Sequence, residues 1–415
     1  MQIPDVPPQL LAALSQAAAG QRLALVGGVV RDVLLHRHHQ DPWRGLPDLD
    51  LVVEGRAADL VERLPSALEH QLGQAVPMRQ QQHGRYGTVA VELQLPAQFG
   101  GIWLLDLASA RQEVYPQPAE NPRVSPGTLE QDLARRDLTV NAMALMLPSD
   151  AVAKVQLLDP HGGQADLAAR RLRFLHEDSL RDDPTRLLRA ARYAARLGFD
   201  LAPEALEQAR TTLAEWPWPW HLGDDPGEAP PALATRLRME LELLLEKEPW
   251  PQALALLQQW GGLGLLDPEL QRDRGWRQRL RWARRFELPL LTVFVASAGE
   301  ALLLARRLQL PHRTIRLMDR LHDLCSRLDQ ITDLQDAPSF WTAVLETPGT
   351  TPEAVALAVV CGQRPRRQLL QWLFHWRHVT AGLTAQQLMA EEGLRPGPDV
   401  GRRLSQLRRE RLDQS

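Results

Sequence analysis

Three acidic side chains and a glycine pair are the residues of this chain best suited to chemistry on phosphate. Asp48-Leu49-Asp50 opens the apolar run Leu51-Val52-Val53. Side chains two apart on a strand point to the same side, so the two carboxylates converge while Leu49 faces the other way. Two such charges repel. A bound Mg²⁺, which takes oxygen ligands and keeps positions open for water and phosphate, removes that penalty. Alone, this pattern is more often an exposed strand start. Leu25-Val26-Gly27-Gly28-Val29-Val30-Arg31-Asp32 adds to it, because a strand, two glycines and a helix start form an anion cradle. Arg31 is expected to project from the first helical turn towards the bound phosphate. Asp106, in Leu104-Leu105-Asp106-Leu107, is placed at the end of a strand. It is the candidate third carboxylate for a two-metal displacement, and an ordinary strand-end Asp fits it equally well. Together these residues suggest a nucleoside triphosphate held beside a metal pair.

Hydrophobic periodicity supplies the elements that position them. Leu23 to Val26 reads as a buried strand, Val29 to Arg37 as a helix, and Asp48–Val53, Tyr86–Leu95 and Ile102–Ala108 as further strands. After Asp183 strand signals nearly vanish and long Leu/Ala/Arg stretches at helical period take over. Pro217, Pro219, Pro226, Pro230 and Pro231 mark a loop or insertion, and His36 to Gln40 reads as a loop extension. The expected division is a mixed α/β head over 1–150, a helical neck over 151–260, and a helical body and tail over 261–415.

Composition excludes disordered, fibrous and disulfide-stapled chains: of 415 residues, 44% are hydrophobic and 24% charged, with two cysteines. No apolar run approaches a membrane span, and Met1 to Gly20 does not read as a signal peptide, so the expected compartment is the cytoplasm. The net charge of −3 argues by itself against a nucleic-acid partner. The charges are segregated, however. Residues 1–150 carry 12 basic and 17 acidic side chains, whereas residues 364–415 carry 10 arginines and 5 acids. Between Arg272 and Arg285 there are seven arginines and one acid, interleaved with Trp276 and Trp282. Such runs are usually solvated helix faces, but they keep RNA binding open.

In sequence order these motifs resemble the class II tRNA nucleotidyltransferase and bacterial poly(A) polymerase family. Leu25–Leu35 is similar to its LVGGxVRDxLL motif, and Leu46–Val53 to its metal-binding PDxDLVV segment. Arg111, Glu113 and Tyr115 resemble the RxExY that opens the flexible loop. Leu129–Leu145, with Asp132, Arg135, Arg136, Asp137 and Asn141, resembles the RRDxTxNAMAL segment. Asp159–Gly163 resembles DPxGG, and Asp182–Arg189 resembles EDPxRxLR with Asp182 where Glu is usual. Beyond residue 200 the likeness is weaker and rests on Leu394–Gly401.

The resemblance implies an α+β nucleotidyltransferase head, a small mixed sheet with helices, followed by all-α neck, body and tail domains. It implies template-independent addition of C and/or A from CTP and ATP to the tRNA 3′ end. Two Mg²⁺ ions would be held by Asp48 and Asp50, and Asp106 would orient the attacking oxygen. Gly27, Gly28, Arg31, Arg136 and Arg189 would contact the nucleotide. Asp183 and Arg186, three apart on a predicted helix, would replace a nucleic-acid template: the carboxylate accepts and the guanidinium donates, matching the donor-beside-acceptor edge of cytosine and adenine. The bland alternative for that pair is a surface salt bridge. Phosphate contacts to the tRNA acceptor arm and elbow would fall on Arg277, Arg281 and Arg284 and on Arg402, Arg403, Arg408 and Arg409. No membrane and no protein partner are implied. The spacing from Arg111 to Arg135 looks uncut and points away from CC-only addition. A poly(A) polymerase and a non-catalytic RNA-binding protein on the same fold are the alternatives.

Overall fold

A computed structural model describes residues 3–45, 48–83, 87–148, 155–331 and 337–414. Leu46 and Pro47 of the metal-binding motif, Tyr86 and the head–neck boundary at residue 150 lie outside the described residues. The chain forms two compact units, one of residues 1–221 and 230–262, the other of residues 222–229 and 263–415.

The first unit is built on a seven-stranded sheet ordered β3-β4-β5-β2-β1-β8-β9. Its strands are β1 (Leu23–Val26), β2 (Leu49–Val53), β3 (Met78–His83), β4 (Thr88–Gln94), β5 (Ile102–Ser109), β8 (Ala144–Met146) and β9 (Gln156–Leu158). A separate hairpin joins β6 (Arg111–Val114) to β7 (Arg123–Pro126). β2 and β5 run parallel, and every other neighbouring pair in the sheet is antiparallel. The helices of this unit are α1 (Pro8–Ala17), α2 (Gly28–His39), α3 (Ala57–Leu72), α4 (Leu129–Ala134), α5 (Gly163–Ala169), α6 (Ser179–Asp182), α7 (Thr185–Leu197), α8 (Pro203–Glu215), α9 (Thr235–Lys247) and α10 (Trp250–Gln259).

The apolar alternation of the sequence explains the sheet. In β5, Leu105 and Leu107 are buried while Leu104 and Asp106 stay exposed, as a period of two requires. Ala24, Val26, Val52 and Ala144 form a core patch closed by Leu129 and Leu133 of α4. α2 packs on β1 and β2, and α3 on β4 and β5. α2 continues through His36 to His39, so the His-rich stretch is the last turn of a helix and not an added loop. The β6–β7 hairpin and β3 were missed, because their short polar runs carry little alternation. The Pro/Trp-rich segment is irregular as expected, yet it is packed: Trp218 and Trp220 are buried, and the Trp218 indole donates to the Arg181 carbonyl at 3.0 Å.

The second unit is helical: α11 (Pro268–Arg272), α12 (Trp276–Arg285), α13 (Leu290–Val295), α14 (Ala301–Arg307), α15 (His312–Asp329), α16 (Pro338–Leu345), α17 (Pro352–Cys361), α18 (Arg366–Phe374), α19 (Ala385–Glu392) and α20 (Pro398–Asp413). α17 is buried on nearly every face and packs against α12, α15 and α18. Among the described residues no helix is long and apolar enough to cross a membrane.

Candidate nucleotide-transfer site

Parallel pairing of β2 with β5 puts Asp50 directly beside Asp106 in register, with their buried neighbours Leu49, Leu51, Leu105 and Leu107 on the opposite side. Asp106 lies inside its strand and not at its end. Asp50 is solvent-exposed at the cleft, yet its carboxyl is pushed up to about 6, first by partial loss of solvation among its neighbours and then by the like charges of Asp106 and Asp48, against the pull of Arg136. Three neighbouring carboxylates, two of which raise the proton affinity of Asp50, are hard oxygen donors suited to Mg²⁺. Among the described residues no set of three His, Cys, Asp or Glu side chains closes into a metal cage. An open carboxylate edge of this kind fits an ion whose remaining ligands come from phosphate and water.

The glycine turn sits over this edge. Gly27 has φ of +72°, a conformation that L side chains rarely adopt, and a Cβ there would lie 3.2 Å from Arg136 Nη1 and 3.6 Å from Asp50 Oδ2. Glycine therefore keeps a cradle open between a cation and a carboxylate, which is the chemistry of a metal-bound triphosphate. Arg136 is fixed on its other side by Asp132, at 3.0 Å. Thr128 and Gln131 form a capping box that starts α4, the helix carrying Asp132.

Gly27, Gly28 and Asp50 line a cavity of about 470 Å³ together with Arg111, Glu113, Arg136, Asp183, Arg186 and Arg189. Most expected site residues of the head and neck thus line one cleft; Asp106 pairs in register with Asp50 outside that lining, Asp48 lies just before β2, and Arg31 is turned away. Arg31 is 3% exposed and lies beneath the glycine turn. Its guanidinium donates to Asn141 Oδ1 at 2.8 Å and to Asp32 at 2.9 Å, and it stacks on Tyr193 with 5.3 Å to the ring centroid. Its place one turn into α2 turns it inward, so it props the cradle and does not reach for phosphate.

Asp183 is not on a helix. It precedes Pro184, and the proline ring holds the residue before it extended, here at φ −147° and ψ 96°. It caps the start of α7, its Oδ1 accepting from the Thr185 amide at 3.0 Å and the Thr185 hydroxyl at 2.6 Å. Its Oδ2 accepts from Arg236 of α9. Arg186, on α7, donates to the Arg135 carbonyl at 3.1 Å and lies over the Tyr115 ring. Asp183 and Arg186 are therefore neighbours across a helix start with separate partners, and not a salt bridge to each other. Burial pushes the Tyr115 hydroxyl up. Arg189 pairs with Asp137 at 2.7 Å; burial pushes that carboxyl up, but the Arg189 charge together with hydrogen bonds from Arg189, Asn141 and the Leu138 amide outweighs it and holds the carboxylate below its usual range.

Arg111 and Glu113 are paired at 2.8 Å on β6, and Arg135 reaches the same Glu113 oxygen at 3.3 Å. The segment that opens the flexible loop is thus tied to the cleft wall. Sequence reasoning did not assign Tyr115, Thr185, Tyr193, Arg236 or Glu240, all of which line the cleft. Arg236 and Glu240 stand four apart on one face of α9, a signal that could have marked that helix as facing the site. Of the arginines expected to touch RNA, Arg277, Arg281 and Arg284 stand exposed along α12. In the tail, Arg402 pairs with Asp399, Arg403 with Glu392 and Arg408 with Glu346, and Arg409 is exposed.

Residues 23–173 match the model of the poly A polymerase head domain. Over 401 residues the chain is 36% identical to the CC-adding tRNA nucleotidyltransferase of Deinococcus radiodurans, a match covering 94% of this chain and 85% of that protein. The chain belongs to the tRNA nucleotidyltransferase family. A second member, the A-adding tRNA nucleotidyltransferase of Aquifex aeolicus, is 39% identical over 181 residues, 44% of this chain and 19% of that protein. The Thermotoga maritima CCA-adding enzyme, solved as a complex with tRNA, matches at a TM-score of 0.65 and 22% identity across 100% of this chain and 96% of that one. That likeness is one of fold, and it agrees with the expected mixed-sheet head followed by helices. One nucleotidyltransferase matched over most of the chain is named as CC-adding.

Proposed function

We propose that this chain transfers nucleotides from CTP and ATP to the 3′-hydroxyl of tRNA, without a nucleic-acid template, in the cytoplasm. The observation that carries this reading is the register pairing of Asp50 with Asp106 at one end of a cleft whose other lining includes Asp183 and Arg186. The 3′-oxygen attacks the α-phosphorus, the bond from that phosphorus to the bridging oxygen breaks, and pyrophosphate leaves. Asp48 and Asp50, with Asp106 beside them, would hold Mg²⁺. Bound there, it would acidify the hydroxyl and neutralise the departing charge.

The chain's own residues do the rest. Gly27 and Gly28 let the triphosphate approach the backbone, and Arg136 offsets its charge at the cradle. Asp183 accepts from the exocyclic amino group of cytosine or adenine while Arg186 donates to the adjacent ring nitrogen. A carboxylate oxygen has two lone pairs, so Arg236 and the base share Oδ2. Guanine and uracil present the reverse order and leave buried groups unpaired, at about 1–3 kcal/mol each. Arg277, Arg281, Arg284 and Arg409 supply phosphate contacts that position the tRNA.

The test supplies purified protein with three tRNAs, ending before CCA, after C-C, and complete, with each nucleotide in turn and Mg²⁺. Extension by two, by three or by a terminal A alone reports the CC-, CCA- or A-adding set, and long tails report poly(A) synthesis. No incorporation on any tRNA removes the reading.

A further inference from the structure

The second unit holds a cavity that the transfer chemistry does not use. It lies between α12 and α18, has a volume of about 450 Å³, and is lined by Trp282, Arg285, Phe286, Leu370, Phe374 and His375. Its aromatic lining is open: Phe374 is 59% exposed, and its ring packs against Phe286 with centroids 5.9 Å apart. Two guanidinium groups, from Arg285 and Arg366, lie over the Trp282 ring, each 5.1 Å from the centroid. Arg281 is exposed one turn from Arg285, and Arg367 is exposed one turn from Gln371.

Every charged residue on the two helices that line this cavity is an arginine. No acidic residue occurs between Arg274 and Phe286, or between Ala354 and Ala390. The nearest acids in sequence to α12 are Asp273, which is tied to Arg279, and Glu287, just beyond its end. Exposed rings interleaved with arginines give a base a flat surface to stack on and give its flanking phosphates a counter-charge. An apolar protein segment would gain from the rings but not from a rim made of guanidinium groups.

We propose that this cavity receives an unstacked base of the tRNA, laid against Phe374 and Trp282, with the adjoining phosphates on Arg281 and Arg367. The proposal rests on the tRNA nucleotidyltransferase reading and adds a base-binding site remote in sequence from the cleft residues. Such a site accounts for the Phe374 ring left at the surface of a helical unit.

The experiment measures the dissociation constant of the full-length protein for tRNA ending before CCA, by fluorescence anisotropy, for the wild type, Phe374→Ala, Phe374→Leu and Phe374→Trp. Thermal melting checks that each variant folds. Stacking on one base is expected to be worth about tenfold in affinity. Phe374→Ala and Phe374→Leu should therefore both weaken binding by about that factor, while Phe374→Trp binds as the wild type does. Arg281→Glu should lower the salt dependence of binding, and Phe374→Ala should leave it unchanged. Wild-type affinity in both Phe374→Ala and Phe374→Leu overturns the proposal. So does wild-type affinity in Phe374→Leu alone, which marks an apolar contact without stacking. A Phe374-dependent dimer with unchanged tRNA affinity also overturns it, by assigning the cavity to self-association. Incorporation of CTP or ATP by the same wild-type sample separates these outcomes from failure of the functional reading itself.

Discussion

The arginines around the cleft of the first unit and those along α12 and α18 of the second are used in opposite ways. In the first unit they are tied down: Arg31 to Asn141, Arg136 to Asp132, Arg189 to Asp137, and Arg192 to Glu240 and Glu248. In the second, along α12 and the start of α18, Arg277, Arg285 and Arg366 are exposed and lie over Trp276 or Trp282, and Arg281 and Arg367 are also exposed. The difference separates a site that must hold geometry from a surface that must attract a polyanion. A paired guanidinium keeps its position while a substrate comes and goes. A guanidinium with no carboxylate beside it is the one that gains when a phosphate arrives. This also recasts the net charge of −3: acids balance arginines in the head and leave them unbalanced on the helical faces.

Four substitutions bear on that contrast. The largest effect on nucleotide choice is expected at Asp183→Ala, which removes the acceptor of the proposed base-reading pair. Its incorporation of C and A relative to G and U should fall about 10- to 100-fold, read as a ratio of incorporation rates so that any folding loss cancels. An unchanged ratio moves base selection elsewhere. Next is Glu248→Ala, which strips the carboxylate shared by Arg192 and Arg196. Glu248 is nearly inaccessible, and breaking a buried ion pair on one side costs about 3–5 kcal/mol, to be measured by urea denaturation. A loss within 0.5 kcal/mol would mean that these arginines are not a fixed framework.

Arg281→Glu lies on the other side of the comparison. Melting should not change, tRNA binding should weaken, and the slope of log K against log salt should fall by about 1 to 2 as a contact is replaced by a repulsion. The smallest effect is at Glu130, which pairs with the exposed Arg22 at 2.7 Å. That hydrogen bond, before any other cause, holds the carboxyl down to about 2. A depressed carboxyl contributes stability above its unfolded value near 4.5 and loses it as pH falls towards 2. Glu130→Gln should therefore cost under about 1 kcal/mol at pH 7, solvent screening included, and the gap from the wild type should close on acidification.

Much of the site was legible because its signals are local. A DxD at a strand start fixes two carboxylates on one face, and Gly-Gly between a strand and a helix fixes a cradle. The side-by-side pairing of Asp50 with Asp106 was only half legible, since register across a parallel pair depends on the whole sheet. Arg31 was misread because its place in the first turn says nothing about which side of α2 meets the core. Asp183 was misread because helical spacing was applied across a proline, whose effect on the preceding residue was overlooked. Arg236 and Glu240 enter the cleft from about 50 residues downstream of Asp183, a contact that only tertiary packing supplies.

The most direct measurement is incorporation of CTP and ATP with Mg²⁺ into a tRNA ending before CCA, by the wild type and by Asp48→Ala combined with Asp50→Ala. The wild type should lengthen the tRNA. The double variant, with its melting curve intact, should be slower by about a thousandfold or more. Extension by the double variant at the wild-type rate would contradict the assignment of these carboxylates as the centre of the reaction.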